Sequence, residues 1–146
     1  MLIGKFEHSL DAKGRVTVPG RFREDLGERF VISKGMDGCL YLYPMEEWDL
    51  FSAKLSRLPL GNKDARGIRR FFTAAAGPCD VDKQGRLLIQ AELRDFALMK
   101  KDVVFIGTIN RVEVWSAEEY AKQTVAEMDV ETMNARLEAK MEEFDL

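Results

Sequence analysis

The chain is poor in the residues that most often carry chemistry. Among its 146 residues are one histidine and two cysteines. Cys39 and Cys79 each stand among apolar or small neighbours, and no Cys-x-x-Cys occurs. That spacing reads as two free thiols in a reducing compartment, with a bridge between them as the unsupported alternative. His8 alternates with Phe6 and Leu10, which predicts a histidine packed on a mostly apolar strand face rather than a ligand or base. No group of His, Cys and carboxylates has metal-ligand spacing. The glycines match neither a phosphate loop nor a dinucleotide fingerprint. Asp11 and Asp82 make a poor acid pair, because an arginine four residues after each would neutralise it. With no nucleophile beside a base, the expectation is a protein that is not an enzyme and carries no cofactor and no metal. No apolar run approaches the about 20 residues that span a bilayer. The opening MLIGKFEHSLD has neither a long apolar stretch nor a small-residue cleavage site, which points to the cytoplasm and to no membrane partner.

Charge of one sign is scarce in one place and concentrated in another. Residues 117–146 carry nine acids against three bases, net −6, while the whole chain is −3. The remainder is therefore net +3. An acidic tail on a mildly basic body weakens any inference from the global charge, including one against nucleic acid.

What is present is a pattern written twice. Residues 11–15 read Asp-Ala-Lys-Gly-Arg and residues 82–86 read Asp-Lys-Gln-Gly-Arg. At the same offset Val16 meets Leu87, Val18 meets Ile89, Phe22 meets Leu93 and Arg23 meets Arg94. After one inserted residue, Val31-Ile32 meets Val103-Val104, Gly35 meets Gly107, Leu40–Tyr43 meets Val112–Trp115, and Glu46-Glu47-Trp48 meets Glu118-Glu119-Tyr120. Two copies are too few for a solenoid, so a pseudo-two-fold pair is expected.

Each copy has one plan. A strand (FEHSLD, or the degenerate GPCDVD) runs into a type I turn with Asp first and Gly fourth. A short alternating strand follows, RVTVP or RLLIQ. Pro19 starts a short helix whose face holds Phe22 and Leu26, and Gly27 stops it. A hairpin then turns at Asp37-Gly38 in the first copy and around Asn110-Arg111 in the second. A helix closes each copy. Trp48, Phe51, Leu55 and Leu58 line the first, and Ser116 with Glu119 reads as a capping box for the second. Between the copies, Asn62 can cap a helix with Ile68, Phe71, Phe72 and Ala75 on one face and Lys63, Arg66, Arg69 and Arg70 on the other. The basic face is either a solvated surface or one that attracts a polyanion. The expected divisions are 1–58 (first repeat with its closing helix), 59–75 (linker helix), 76–120 (second repeat) and 121–146 (acidic tail, helical to about Phe144).

Within Asp-x-x-Gly-Arg, the aspartate and glycine belong to the turn: Asp11, Asp82 and Gly85 are structural. The arginine has two readings. It braces the turn by pairing with the aspartate, or it is presented rigidly to phosphates or a guanine edge, which its planar fork matches. Lys13 at the first tip and Arg21 and Arg23 beyond it make the first copy the more basic, since Glu92 stands where the first copy has Arg21.

These residues resemble the MraZ family of bacterial transcriptional regulators with tandem SpoVT/AbrB-like halves. The likeness rests on DAKGR-x-x-VP, the FRE helix, CLYLYP–EEW, DARGIRRFF, DKQGRLLI and VEVWS–EEY, and covers nearly the whole chain. The first strand of copy two and the tail depart from it. The resemblance implies an α+β fold, a double-split β-barrel that two internal repeats build together, with flanking helices. It implies sequence-specific binding to double-stranded DNA at repeated promoter boxes before the cell-division and cell-wall gene cluster, by a ring-shaped homo-oligomer associated with the nucleoid. Carried over by position, Arg15 is the foremost DNA-binding candidate, with Lys13 and Gly14 in the same motif and Lys83 and Arg86 in the second; Arg21 adds charge. The alternative function is an AbrB-like antitoxin or protein-binding scaffold.

Overall fold

In the computed structural model, which describes residues 1–125 and 129–146, the first strand of each repeat leaves its own repeat for a partner. The elements in order are β1 (Leu2–Ser9), β2 (Arg15–Thr17), α1 (Gly20–Leu26), β3 (Arg29–Lys34), β4 (Leu40–Pro44), α2 (Met45–Ser56), α3 (Lys63–Thr73), β5 (Gly77–Asp80), β6 (Arg86–Leu88), α4 (Ala91–Phe96), β7 (Asp102–Ile109), β8 (Val112–Ser116), α5 (Ala117–Val125) and α6 (Val130–Glu143). Strand β1 of the first repeat pairs antiparallel with β7 of the second. Reciprocally, β5 of the second pairs with β3 of the first. The result is a six-stranded sheet in the order β1-β7-β8-β4-β3-β5 and a separate ribbon, β2-β6. β2 continues from β1 and β6 from β5, so the ribbon is tied to both edges of the large sheet. This is the interleaved α+β architecture expected of two repeats that share one barrel.

Two pairings locate the pseudo-two-fold axis. Val16 lies opposite Leu87 in the ribbon, and Tyr41 lies opposite Glu113 between β4 and β8. Each of these residues faces its own equivalent from the other repeat. Only a position on the axis can do that.

The sheet separates two apolar clusters. Val16, Val18, Phe22, Leu26, Leu40, Leu42, Leu87, Ile89, Leu93 and Phe105 fill the space between the large sheet, the ribbon, α1 and α4. On the other side Cys39, Tyr41, Tyr43, Leu55, Phe72, Val104 and Trp115 pack with Trp48, Phe51 and Leu58. Strand β4 thus buries both faces, Leu40 and Leu42 toward one cluster and Tyr41 and Tyr43 toward the other. That is why its sequence is an unbroken apolar run rather than an alternating one. Burial pushes the Cys39 and Cys79 thiols up to about 12, and both are free. His8 is half-buried with its ring edge-on to Phe105, centroids 5.8 Å apart. No described helix is long and apolar enough to cross a membrane.

Several local expectations shift. The first strand starts at Leu2, earlier than FEHSLD implied. Asp37 and Gly38 take positive φ, 66° and 81°, but in a three-residue turn, Met36–Gly38, across which the Gly35 N–H donates to the Cys39 carbonyl at 2.8 Å. In the second copy the positive φ falls on Ile109, at 77°, the equivalent of Asp37. The capping box at α5 is half formed. Ser116 Oγ accepts the Glu119 N–H at 3.3 Å, while the Glu119 carboxylate takes Lys122 instead of turning back. Asn62 caps α3 as read, accepting the Ala65 N–H at 3.0 Å. The helix buries Ala65 and Phe72, however, and leaves Ile68 and Phe71 substantially exposed. The tail is helical in two pieces, α5 and α6; residues 126–128 of that expectation lie outside the described residues.

Two substitutions test this packing. A Cβ at Gly107 would stand 2.5 Å from the Leu2 carbonyl carbon, so Gly107→Ala should destabilise by about 1–3 kcal/mol in urea unfolding, through strain where β1 crosses β7. Ile109→Asn should stabilise by about 0.5–1 kcal/mol, because a β-branched residue is strained at positive φ and asparagine tolerates it.

Candidate nucleic-acid interface

The duplicated turn is held by one carboxylate per copy. Asp11 Oδ1 accepts the backbone N–H groups of Lys13 and Arg15, both at 2.9 Å, and Oδ2 accepts Arg15 Nε at 2.7 Å. The backbone closes the same loop: the Gly14 N–H donates to the Asp11 carbonyl and the Asp11 N–H to the Arg15 carbonyl. The second copy repeats this. Asp82 Oδ1 accepts from Gln84 and Arg86 N–H, and Oδ2 from Arg86 Nε at 2.9 Å. The fourth turn residue, Gly14 or Gly85, has φ of 83° or 75°, a conformation glycine adopts without strain.

The bracing reading of the arginine holds for one nitrogen of each side chain. Nε braces the turn. The two Nη nitrogens of each guanidinium remain on a side chain about one-third exposed, 31% for Arg15 and 28% for Arg86. The turns also meet each other. Arg86 Nη1 lies 3.7 Å from Asp11 Oδ2. The Ile89 N–H donates to the Gly14 carbonyl and the Val18 N–H to the Gly85 carbonyl.

Two further arginines complete the cluster. A Cβ on Gly14 would stand 2.8 Å from the Arg94 guanidinium carbon, and one on Gly85 would overlap the guanidinium of Arg23. Each glycine is thus a floor on which the other repeat's arginine lies. Among the described residues neither Arg23 nor Arg94 has a carboxylate in ion-pair range, and Arg94 Nε is buried without a hydrogen-bond partner. Four guanidinium groups stand around the axis against two carboxylates. Lys13 and Lys83 project as exposed side chains at the tips. Arg94 was missed as a site residue, although its signal was present: it repeats Arg23 at the same offset at which Arg86 repeats Arg15. Arg21 lies elsewhere. Its Nη1 is 3.8 Å from where a Cβ on Gly4 of β1 would sit, so it flanks the strand rather than joining the turns.

Comparison with known proteins decides the family. The family model described as "MraZ protein", antitoxin-like, matches twice, over residues 1–71 and 72–140. The chain belongs to the MraZ family. A relative from Thermoanaerobacter sp. (strain X514), named transcriptional regulator MraZ, is 56% identical over 127 residues, covering 85% of this chain and 89% of its own length. Another of that name, from Caldicellulosiruptor saccharolyticus, is 47% identical over the full length of both chains. The Clostridium tetani MraZ is 46% identical over 94% of this chain. The MraZ proteins named in these comparisons are transcriptional regulators, and the two model matches agree with the two structural repeats.

The Arg15 backbone N–H, with the Arg15 side chain and the Lys13 N–H, holds the Asp11 carboxyl down at about 2 from an ordinary 3.8; the equivalent contacts of Arg86 and Gln84 lower Asp82. A depressed carboxylate stabilises the fold fully above its unfolded value and less as pH falls toward its folded one. In a proton–nitrogen NMR titration, the Lys13 and Arg15 amides should shift with a midpoint near 2, and those of Gln84 and Arg86 below 3.8. Midpoints at 3.8 or above would show that the turns are not locked as described.

Proposed function

We propose that this MraZ chain regulates transcription by binding double-stranded DNA sequence-specifically through the arginines of its two turns. The carrying observation is the pair of locked turns beside a two-fold axis, each with guanidinium Nη groups left over. A DNA duplex has local two-fold axes of its own, so a paired reader can address both strands alike. Arg15 and Arg86 offer planar forks suited to guanine O6 and N7 or to phosphates. Arg23 and Arg94, Lys13 and Lys83 add positive charge along the same face, while Gly14 and Gly85 let the backbone stay close. The first turn is the principal reader, since the family likeness weights Arg15.

The rest of the reading is assembly and target. One protomer offers few contacts. A ring of protomers on promoter boxes repeated near one helical turn, about 10 bp, gains avidity because the second contact is intramolecular. The target is the repeated boxes before the cell-division and cell-wall gene cluster, bound on the nucleoid in the cytoplasm, with no cofactor and no catalysis. The antitoxin-like wording of the family description and the acidic C-terminal helix favour the second reading, a protein-binding scaffold.

A mobility-shift assay on the DNA upstream of the chain's own gene separates the two. The first reading expects a sequence-dependent shift whose affinity falls steeply between low and moderate salt. Absence of any such shift favours the scaffold. Arg15→Ala should weaken specific binding by about 1–3 kcal/mol per site. It should cost only about 0–1 kcal/mol of stability, because it removes an ion pair about one-third exposed and leaves the turn's N–H contacts in place. Arg86→Ala should have the smaller effect on binding.

A further inference from the structure

The hairpin between β7 and β8 carries a guanidinium that the paired turns do not use. The Arg111 guanidinium carbon lies 4.8 Å from the centroid of the Tyr41 ring, 5.2 Å from that of Tyr43 and 5.6 Å from that of Phe51. Tyr43 and Phe51 are themselves stacked, with centroids 5.7 Å apart and planes 13° from parallel. The arginine is half-buried, yet among the described residues no carboxylate lies in ion-pair range of it. An aromatic face attracts the charge of a guanidinium but offers no lone pair to its five N–H donors.

Pseudo-symmetry shows that the fold does not require a charge at this position. At the offset of the second half of the repeat, Arg111 stands where the first copy has Cys39. That residue is wholly buried, and its thiol donates to the Met36 carbonyl at 3.1 Å. The second copy has replaced an internal contact with a cation that faces a recess.

The recess measures about 280 Å³ and lies between α2 and the β7–β8 turn. Glu47, Leu50, Phe51 and Lys54 share one face of α2 and line it from that side, while Asn110 and Arg111 line it from the turn and Tyr43 completes it. Among the described residues Lys54 has no carboxylate in ion-pair range and Glu47 no cation. Two cations therefore stand against one acid beside an aromatic and aliphatic lining. Tyr41 and Tyr43 belong to the apolar cluster on the side of the sheet away from the ribbon, so this site is separate from the paired turns.

We propose that the recess binds a small carboxylate with an aromatic body, its carboxylate held by the Arg111 fork beside Lys54 and its body set against Tyr43, Leu50 and Phe51. The planar fork matches a carboxylate with two parallel hydrogen bonds. Stacking on three rings fixes that fork before a ligand arrives, which lowers the ordering cost of binding. A bare inorganic anion would leave the apolar lining in water, and an uncharged ring would leave the guanidinium unpaired. The volume falls just short of drug-sized sites, which suits an acid of one ring. The site is tested without DNA, so its failure and the failure of DNA recognition are separate results.

Benzoate is the probe, titrated into the full chain by calorimetry and by saturation-transfer NMR. The expected result is saturable binding with a dissociation constant of about 1 mM or tighter. Acetate, which lacks the ring, and benzyl alcohol, which lacks the charge, should each bind about tenfold more weakly. Arg111→Met keeps an unbranched apolar cover over the rings and should lose about tenfold or more in benzoate affinity. Lys54→Glu, at an exposed position of α2, should weaken benzoate about fivefold and decides the matter if Arg111→Met does not fold by circular dichroism. No saturable benzoate binding up to about 10 mM would overturn the proposal. So would phosphate, acetate or benzyl alcohol binding as tightly as benzoate. Parental affinity in either folded variant would also overturn it, and would leave Arg111 as a cover for the rings alone.

Discussion

Strand β1 takes its ladder from β7, and β5 takes its ladder from β3, so the first strand of each repeat is satisfied only by the other repeat. Every later feature depends on that exchange. The exchange closes the large sheet over one core, and it brings β2 and β6 side by side on the axis. From there the two turns are forced together, with Gly14 supplying an acceptor to Ile89 and Gly85 to Val18. An isolated repeat would leave a row of unpaired backbone groups along its first strand and open half of the Phe22–Leu93 cluster to water.

Duplication frees the copies to diverge within that constraint. The positions that build the turn are the same twice: Asp, Gly and Arg. The positions around it are not. Arg21 has Glu92 as its counterpart, and β1 has eight residues where β5 has four. Asp37 and Ile109 show the same separation from the other side. The backbone keeps its positive φ at both hairpin tips even though the second copy no longer carries a residue that favours it. Shape is inherited more faithfully here than side-chain preference.

The legible part of this chain was what periodicity and spacing encode. The repeat offset, the turn chemistry of Asp11 and Gly14 and the Asn62 cap all reside in local sequence. The partners of β1 and β5 do not. Alternation tells which face of a strand is buried but not which strand lies beside it, and GPCDVD carries too little pattern to announce an edge. The seating of Arg23 and Arg94 on the opposite glycines was hidden for the same reason. Their equivalence was visible in the offset, but the contact crosses from one repeat to the other. Ile68 and Phe71 were assigned inward because they are apolar, whereas α3 turns Ala65 and Phe72 inward, leaves Ile68 exposed and sets Phe71 at the surface against Phe96 of α4.

The exchange also has a consequence in time. Ser9 and Asp102 are neighbours across the β1–β7 ladder, so β1 leaves the ribosome long before its partner exists. At synthesis rates of about 5–20 residues per second, that interval is on the order of 5–20 s. Through it the nascent chain carries an unpaired strand edge beside a half-built core. Isoleucine and phenylalanine at that edge invite association with other nascent chains, and Lys5 and Glu7, both exposed, are the charges that discourage it. Because such long-range pairing must precede any stable core, this small protein should gain its structure late and nearly all at once.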